Sequence, residues 1–147
     1  MWGLHLCSGC TFPRIIILND PLSAEEHLSL GVAYERNGEY QNAIEEYRLA
    51  AKRLNMAYLY LGNAHFQKKE FDQSEKYYKK MIAKKPEVAD AYNNLAWLYY
   101  IKREHLKDAE DLALRAITLN PANENIYLDT IEKIRQLRQG EARPFEQ

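Results

Sequence analysis

Cysteine is nearly missing from this chain of 147 residues: Cys7 and Cys10 are the only two, both close to the start. No disulfide framework therefore supports the body of the molecule. Glycine and proline are sparse, at 6 and 5 residues, and frequent, well-mixed charges suit helices better than a sandwich or barrel. No apolar run approaches the roughly 18 residues of a membrane-spanning helix. Charge of one sign is lacking too: 20 basic residues stand against 21 acidic ones, for a formal net charge of −1. Such a balance sets up no strong field toward nucleic acid or anionic lipid.

Signatures of chemistry are equally scarce. The four histidines, His5, His27, His65 and His105, are scattered, and no two have the spacing of a metal motif. Ser29 and Ser74 have no paired base at a helpful spacing, no Gly-x-Ser-x-Gly elbow occurs, and no glycine-rich phosphate loop exists. Glu45, Glu46, Asp108, Glu110 and Asp111 read as solvated helix faces. The lysine pairs Lys68-Lys69, Lys79-Lys80 and Lys84-Lys85 are offset by Glu70, Asp72, Glu75 and Glu87, which makes a mixed surface. The expectation is a non-enzyme with no cofactor, no metal, no nucleic-acid partner and no small-molecule substrate.

What the chain does have is repetition. One stretch reads Tyr58-x-x-Leu61-Gly62-x-x-His65, then Phe71, Ser74, Tyr78, Met81 and Pro86. An earlier one reads His27-x-x-Leu30-Gly31-x-x-Tyr34, then Gly38, Tyr40, Ala43, Tyr47 and Ala50. A later one reads Tyr92-x-x-Leu95-Ala96-x-x-Tyr99, then Leu106, Ala109, Ala113, Ala116 and Pro121. Gly31 and Gly62 lie 31 residues apart, Gly62 and Ala96 lie 34 apart. Each copy holds two segments with apolar residues at three- and four-residue steps, the pattern of amphipathic helices. The polar breaks "RNGEY", "KKEF" and "KREHL" separate the two. Gly31, Gly62 and Ala96 read as vacancies that let a neighbouring helix approach closely, at a cost in propensity of up to about 1 kcal/mol for glycine. Ala43, Ser74 and Ala109 are expected to do the same from the other side, with bulky aromatics filling the remainder.

The pattern resembles the tetratricopeptide repeat (TPR), W-x2-L-G-x2-Y followed by A-x3-F and P. The resemblance covers about Ala24 to Asn123, with a half-repeat continuing to about Gln139. It implies an all-α, TPR-type solenoid of three helix pairs and a C-terminal capping helix, preceded by a non-helical arm. The expected divisions are a leader over 1–22, a repeat domain over 23–139 and a flexible tail over 140–147. Within the domain the repeats fall at about 24–54, 55–88 and 89–123, and the capping helix at 124–139. Two departures stand out: "AKRLNMA" must join the first two pairs tightly, and the third copy carries an extra residue near Glu104. His27 and His65 take positions where the repeat usually has an aromatic, and read as half-buried core residues. Ser23 and Glu26 form a capping-box signature at the start. Tyr127, Ile131, Ile134 and Leu137 supply the apolar stripe of the last helix, and Gly140 is expected to stop it.

The same resemblance implies a concave surface lined by the first helix of each pair, about Ala24–Asn37, Met56–Lys69 and Val88–Lys102, that binds a peptide or partner protein. Resemblance and helical spacing together turn inward Leu28, Val32, Glu35 and Arg36, then Leu59, Asn63, Phe66 and Gln67, then Asn93, Trp97, Tyr100 and Ile101. The last helix adds Leu128, Glu132 and Arg135. Trp97 and Tyr100 are the expected anchors, because aromatics in a desolvated groove are frequent hot spots. Asn63 and Asn93 can donate to and accept from a ligand backbone. A TPR subtype grips the carboxylate tails of chaperones with lysine and asparagine; Leu28 and Val32 stand where the first repeat would supply them, which points instead to a partner with apolar side chains. The expected role is a non-catalytic assembly or scaffold factor. The alternatives are an accessory subunit of an envelope enzyme or of a secretion or pilus system, and a self-associating scaffold.

The leader is unlike the rest. "TFPRIIILND" is β-branched, and Ser8-Gly9-Cys10 resembles the end of a bacterial lipoprotein cleavage box. That resemblance implies a shortened signal ending before Cys10, lipid attachment at Cys10 and an envelope location; no Lys or Arg precedes the box and its apolar stretch is short. The alternatives are an incidental cysteine pair, in a cytoplasmic protein, and a redox or metal role.

Overall fold

A computed structural model describes residues 20–141 of the chain. Among them, seven α-helices follow one another: α1 (Ala24–Arg36), α2 (Tyr40–Ala50), α3 (Ala57–Gln67), α4 (Phe71–Lys84), α5 (Ala89–Lys102), α6 (Leu106–Leu119) and α7 (Glu124–Glu141). A single 3-10 turn, Pro121–Asn123, leads into α7. The leader through Asn19, with Cys10, and the tail from 142 lie outside the described residues.

Local chemistry sets the helix ends. Ser23 caps α1: its Oγ accepts from the Glu26 N–H at 3.2 Å, and Glu26 Oε2 accepts from the Ser23 N–H at 2.7 Å. Each pair then turns through the same closure. The Gly38 N–H donates to the Glu35 carbonyl at 2.9 Å, and the Glu39 N–H reaches back to Tyr34 at 2.9 Å. Lys69 and Glu70 repeat this onto Phe66 and His65 at 2.8 and 2.9 Å, and Arg103 and Glu104 onto Tyr100 and Tyr99, both at 3.1 Å. This is the helix stop built on a left-handed residue: Gly38, Lys69 and Arg103 have φ of 78°, 60° and 56°. The extra residue of the third copy is His105, a second left-handed residue at φ 51°. The segment from Ala51 to Met56 joins the first two pairs through short turns, with the Leu54 N–H on the Ala50 carbonyl at 2.9 Å. Gly140 lies inside α7 rather than ending it: α7 runs through Glu141, and nothing lies within 4 Å of an added Cβ at Gly140.

The small residues at Gly31 and Gly62 act as vacancies, and the ring that fills each stands one turn beyond the small residue of the second helix. A Cβ on Gly31 would lie 2.4 Å from the Tyr47 ring, and one on Gly62 would lie 2.4 Å from the Tyr78 ring. Ala43, Ser74 and Ala109 are fully buried beside these crossings. In the third pair the volumes redistribute: Ala96 replaces the glycine, Ala113 replaces the tyrosine, and both are buried in one cluster with Leu95, Leu98 and Tyr99. Tyr127, Ile131 and Ile134 of α7 are buried as the closing layer, and Leu137 is half-buried. Successive pairs are cross-linked by polar ties. Tyr99 Oη donates to Glu75 at 3.1 Å, and Tyr127 Oη donates to Asp90 at 2.8 Å. Among the described residues, no helix is long and apolar enough to cross a membrane.

Candidate functional site

The first helices of the pairs bring Glu35, Asn63, Phe66, Gln67, Asn94 and Trp97 together around a cleft of ≈ 240 Å³, with Tyr78 of α4 reaching in from behind. The tyrosines that fill the glycine vacancies also hold its polar groups. Tyr47 Oη donates to Glu35 Oε2 at 2.5 Å, and Tyr78 Oη donates to Asn63 Oδ1 at 2.9 Å. Burial pushes both phenols well above their ordinary range, so each remains protonated and a donor. Asn63 Oδ1 also accepts from Asn94 Nδ2 at 3.0 Å. With its oxygen occupied by two donors, Asn63 has its amide N–H groups left to offer. Asn94 has given an N–H and retains its carbonyl oxygen.

The apolar side of the cleft is aromatic. The Trp97 and Tyr100 rings lie 5.0 Å apart and tilted, and Phe66 meets Phe71 at 5.7 Å. Lys133 of α7 places its Nζ 5.3 Å from the Trp97 ring centre. Ile101 is exposed at the same end of α5, as are Leu128, Glu132 and Arg135 on α7.

The expected lining divides. Asn63, Phe66 and Trp97 share the cleft, and Tyr100 packs against Trp97. Leu28 and Val32 are half-buried against the α1–α3 core, and Arg36 is exposed beyond it. Leu59 and Asn93 are buried, at 8% and 9% exposure, and do not line the cleft. Asn94, one residue along, is the asparagine that lines the cleft, and the sequence reading missed it. Asn93 Oδ1 is buried with no hydrogen-bond partner.

His27 and His65 are core residues as expected, though more deeply buried, and two of the carboxylates differ from expectation. His27 is 5% exposed and carries an acid on each ring nitrogen, Glu46 on Nδ1 at 2.6 Å and Asp20 on Nε2 at 2.9 Å. The Glu46 hydrogen bond holds its pKa above the ordinary value. His65 is 3% exposed, with Nδ1 on Glu70 at 2.6 Å and Nε2 without a partner. Desolvation lowers its pKa, because a second proton on Nε2 would be buried with no acceptor. Glu46 is thus engaged by His27, and Glu110 by Arg135 at 2.6 Å and by Arg138, rather than both being merely solvated. Among the described residues, no group of three His, Cys, Asp or Glu side chains is placed to hold a metal ion.

Antiparallel helix pairs, stacked in one direction with a cleft along their first helices, define a helical-repeat solenoid. The family model described as tetratricopeptide repeat matches residues 14–57 and 59–124, and the chain belongs to that family. The sequence matches none of the curated proteins. Among solved structures, the Sgt2 TPR domain from Aspergillus fumigatus is 16% identical, with a TM-score of 0.76 over 84% of each chain. The first TPR of Spaghetti (RPAP3), bound to an HSP90 peptide, is 20% identical, with a TM-score of 0.70 over 82% of this chain and 94% of that one. The TPR2B domain of yeast Sti1, in complex with an Hsp70 peptide, is 22% identical, with a TM-score of 0.72 over 77% and 96%. At these identities the likeness is one of fold.

Proposed function

We propose that the cleft between α1, α3 and α5 binds a peptide segment of a partner protein, and that the chain acts without catalysis as an assembly or scaffold factor. The observation that carries this reading is the pairing of Asn63 with Asn94. Tyr78 fixes one amide so that it offers donors, and the other retains an acceptor, in the alternation a peptide backbone presents. Beside them Phe66, Trp97 and Tyr100 provide an aromatic wall for apolar side chains of the partner. Family membership supports a protein or peptide ligand, and solved TPR domains of similar fold carry peptides. Leu28 and Val32, where the chaperone-binding subtype has lysine and asparagine, favour a partner other than a chaperone tail.

Peptides selected on the full chain from a random display library provide the test. Trp97→Ala and Tyr100→Ala are each expected to weaken binding by about 2 kcal/mol, while the circular dichroism spectrum stays that of the parent. Unchanged affinity in both variants would remove this cleft as the site. Tethering to a bacterial envelope through Cys10 rests on the Ser8-Gly9-Cys10 sequence alone. Incorporation of labelled palmitate into the expressed chain, abolished by Cys10→Ser, is its expected signature; no incorporation would refute it.

A further inference from the structure

The opposite side of α3 carries a second concavity that the cleft does not use. Arg48 and Lys52 on one wall, Lys80 on the other, and Tyr58, Leu61 and Tyr77 between them enclose a depression of ≈ 280 Å³. It lies between the second helices of the first two pairs. Arg48, Lys52 and Lys80 are all exposed, and the described residues supply none of them with an ion-pair partner. Lys76 and Lys84 stand one turn either side of Lys80 on α4, equally exposed and equally unpaired. Glu45 precedes Arg48 by one turn on α2, and it accepts from Gln41 Nε2 at 3.4 Å. Positive charge therefore gathers locally on a chain whose formal net charge is −1.

Between the cations lies a stack of rings. His65 and Tyr77 are parallel within 13° at 5.3 Å, Tyr77 and Tyr58 within 16° at 6.4 Å, and Lys80 Nζ sits 4.2 Å from the Tyr58 ring centre. These rings already stack on protein partners, so the aromatic surface is used inside the groove rather than offered to bases. Single-stranded nucleic acid needs that surface in addition to charge. A flexible chain of carboxylates needs only the cations.

We propose that this convex depression is a second docking surface, for an acidic peptide segment of a partner protein whose carboxylates pair with Arg48, Lys52 and Lys80. Charge complementarity selects the occupant: exposed cations of α2, of the turn after it and of α4, which no described residue pairs, with no acidic residue in the lining. Pairing at such a rim is fast, salt-sensitive and tolerant of sequence. The site is independent of the concave cleft, and its failure would leave the reading of that cleft untouched.

Fluorescence anisotropy of a short labelled glutamate-rich peptide, titrated with the full chain at low salt and at about 0.15 M salt, tests this. Binding is expected at low salt and is expected to weaken as salt rises. The combined variant Arg48→Gln, Lys52→Gln and Lys80→Gln is expected to lose about tenfold or more in affinity, and Trp97→Ala to stay within about twofold. Should the triple variant melt early, Lys80→Glu alone keeps the test open, with an expected loss of several-fold. No binding at low salt would overturn the proposal, as would equal binding by the triple variant or by Lys80→Glu when the triple variant melts early. Tighter binding of a labelled oligothymidylate would overturn it in favour of nucleic acid. Self-association in sedimentation that the triple variant abolishes would overturn it in favour of a second copy.

Discussion

Gly62 has no side chain because the Tyr78 ring occupies the space: an added Cβ would lie 2.4 Å from its Cδ1. Gly31 and Tyr47 repeat the arrangement. A methyl group there meets a buried ring held by neighbours on all sides, so the cost of overpacking, about 1–3 kcal/mol, exceeds the gain of about 1 kcal/mol in helix propensity. Gly62→Ala is therefore expected to lower stability by up to about 2 kcal/mol in urea denaturation, where propensity alone gives the opposite sign. The two buried histidines supply a second prediction at this scale. His27 lies between two acids and its pKa is raised. Its contribution is fully present below the unfolded value, about 6.5, and is lost as pH rises through the higher folded value. His65 is desolvated, with an unpartnered Nε2, and its pKa is lowered. Its contribution is present above about 6.5 and is lost as pH falls through the lower folded value. NMR titration of the two imidazoles is expected to find His27 above and His65 below the ordinary value; the reverse order would contradict both environments.

At the scale of the element, the three pairs share one turn, closed each time on a left-handed residue. Only Gly38 is suited to that backbone; Lys69 and Arg103 hold it at φ 60° and 56° against their own Cβ. Lys69→Gly is expected to stabilise by about 1 kcal/mol, and Gly38→Ala to destabilise by a similar amount, in the same denaturation experiment. Loss of stability in Lys69→Gly would contradict the strain assigned to the left-handed lysine. Much of this level was legible in the sequence. Apolar steps of three and four residues, together with the repeat resemblance, placed α1, α3 and α5 to within about two residues, the accuracy helix ends permit. The breaks were readable as turns because short polar stretches interrupt the period. Which ring fills a glycine vacancy was not readable, because Ala43 and Tyr47 share a helix face one turn apart. Asn93 and Asn94 failed for a related reason. They differ by about 100° around α5, and that angle separates a buried position from the cleft.

Across the whole molecule, one device links stability to the candidate site. Tyr47 and Tyr78 pack into the vacancies of the first helices, and their hydroxyls then hold Glu35 and Asn63 at the cleft. The solenoid presents two chemically distinct faces as a result. Amides and aromatics line the concave side, and unpaired cations line the depression between α2 and α4. Such arrays bind through their surfaces, since each repeat touches only its neighbours and leaves long faces open. The partnerships that shape the cleft, Tyr47 with Glu35 and Asn63 with Asn94, join different helices. No spacing rule in the sequence reports them.

The most direct measurement is a two-dimensional NMR titration of the labelled full chain with a library-selected peptide, following the side-chain amides of Asn63 and Asn94 and the indole N–H of Trp97. The expected result is that these signals shift together and saturate with one affinity, while the amides around Arg48 and Lys80 stay in place. Saturable binding that leaves Asn63, Asn94 and Trp97 unmoved would contradict the account.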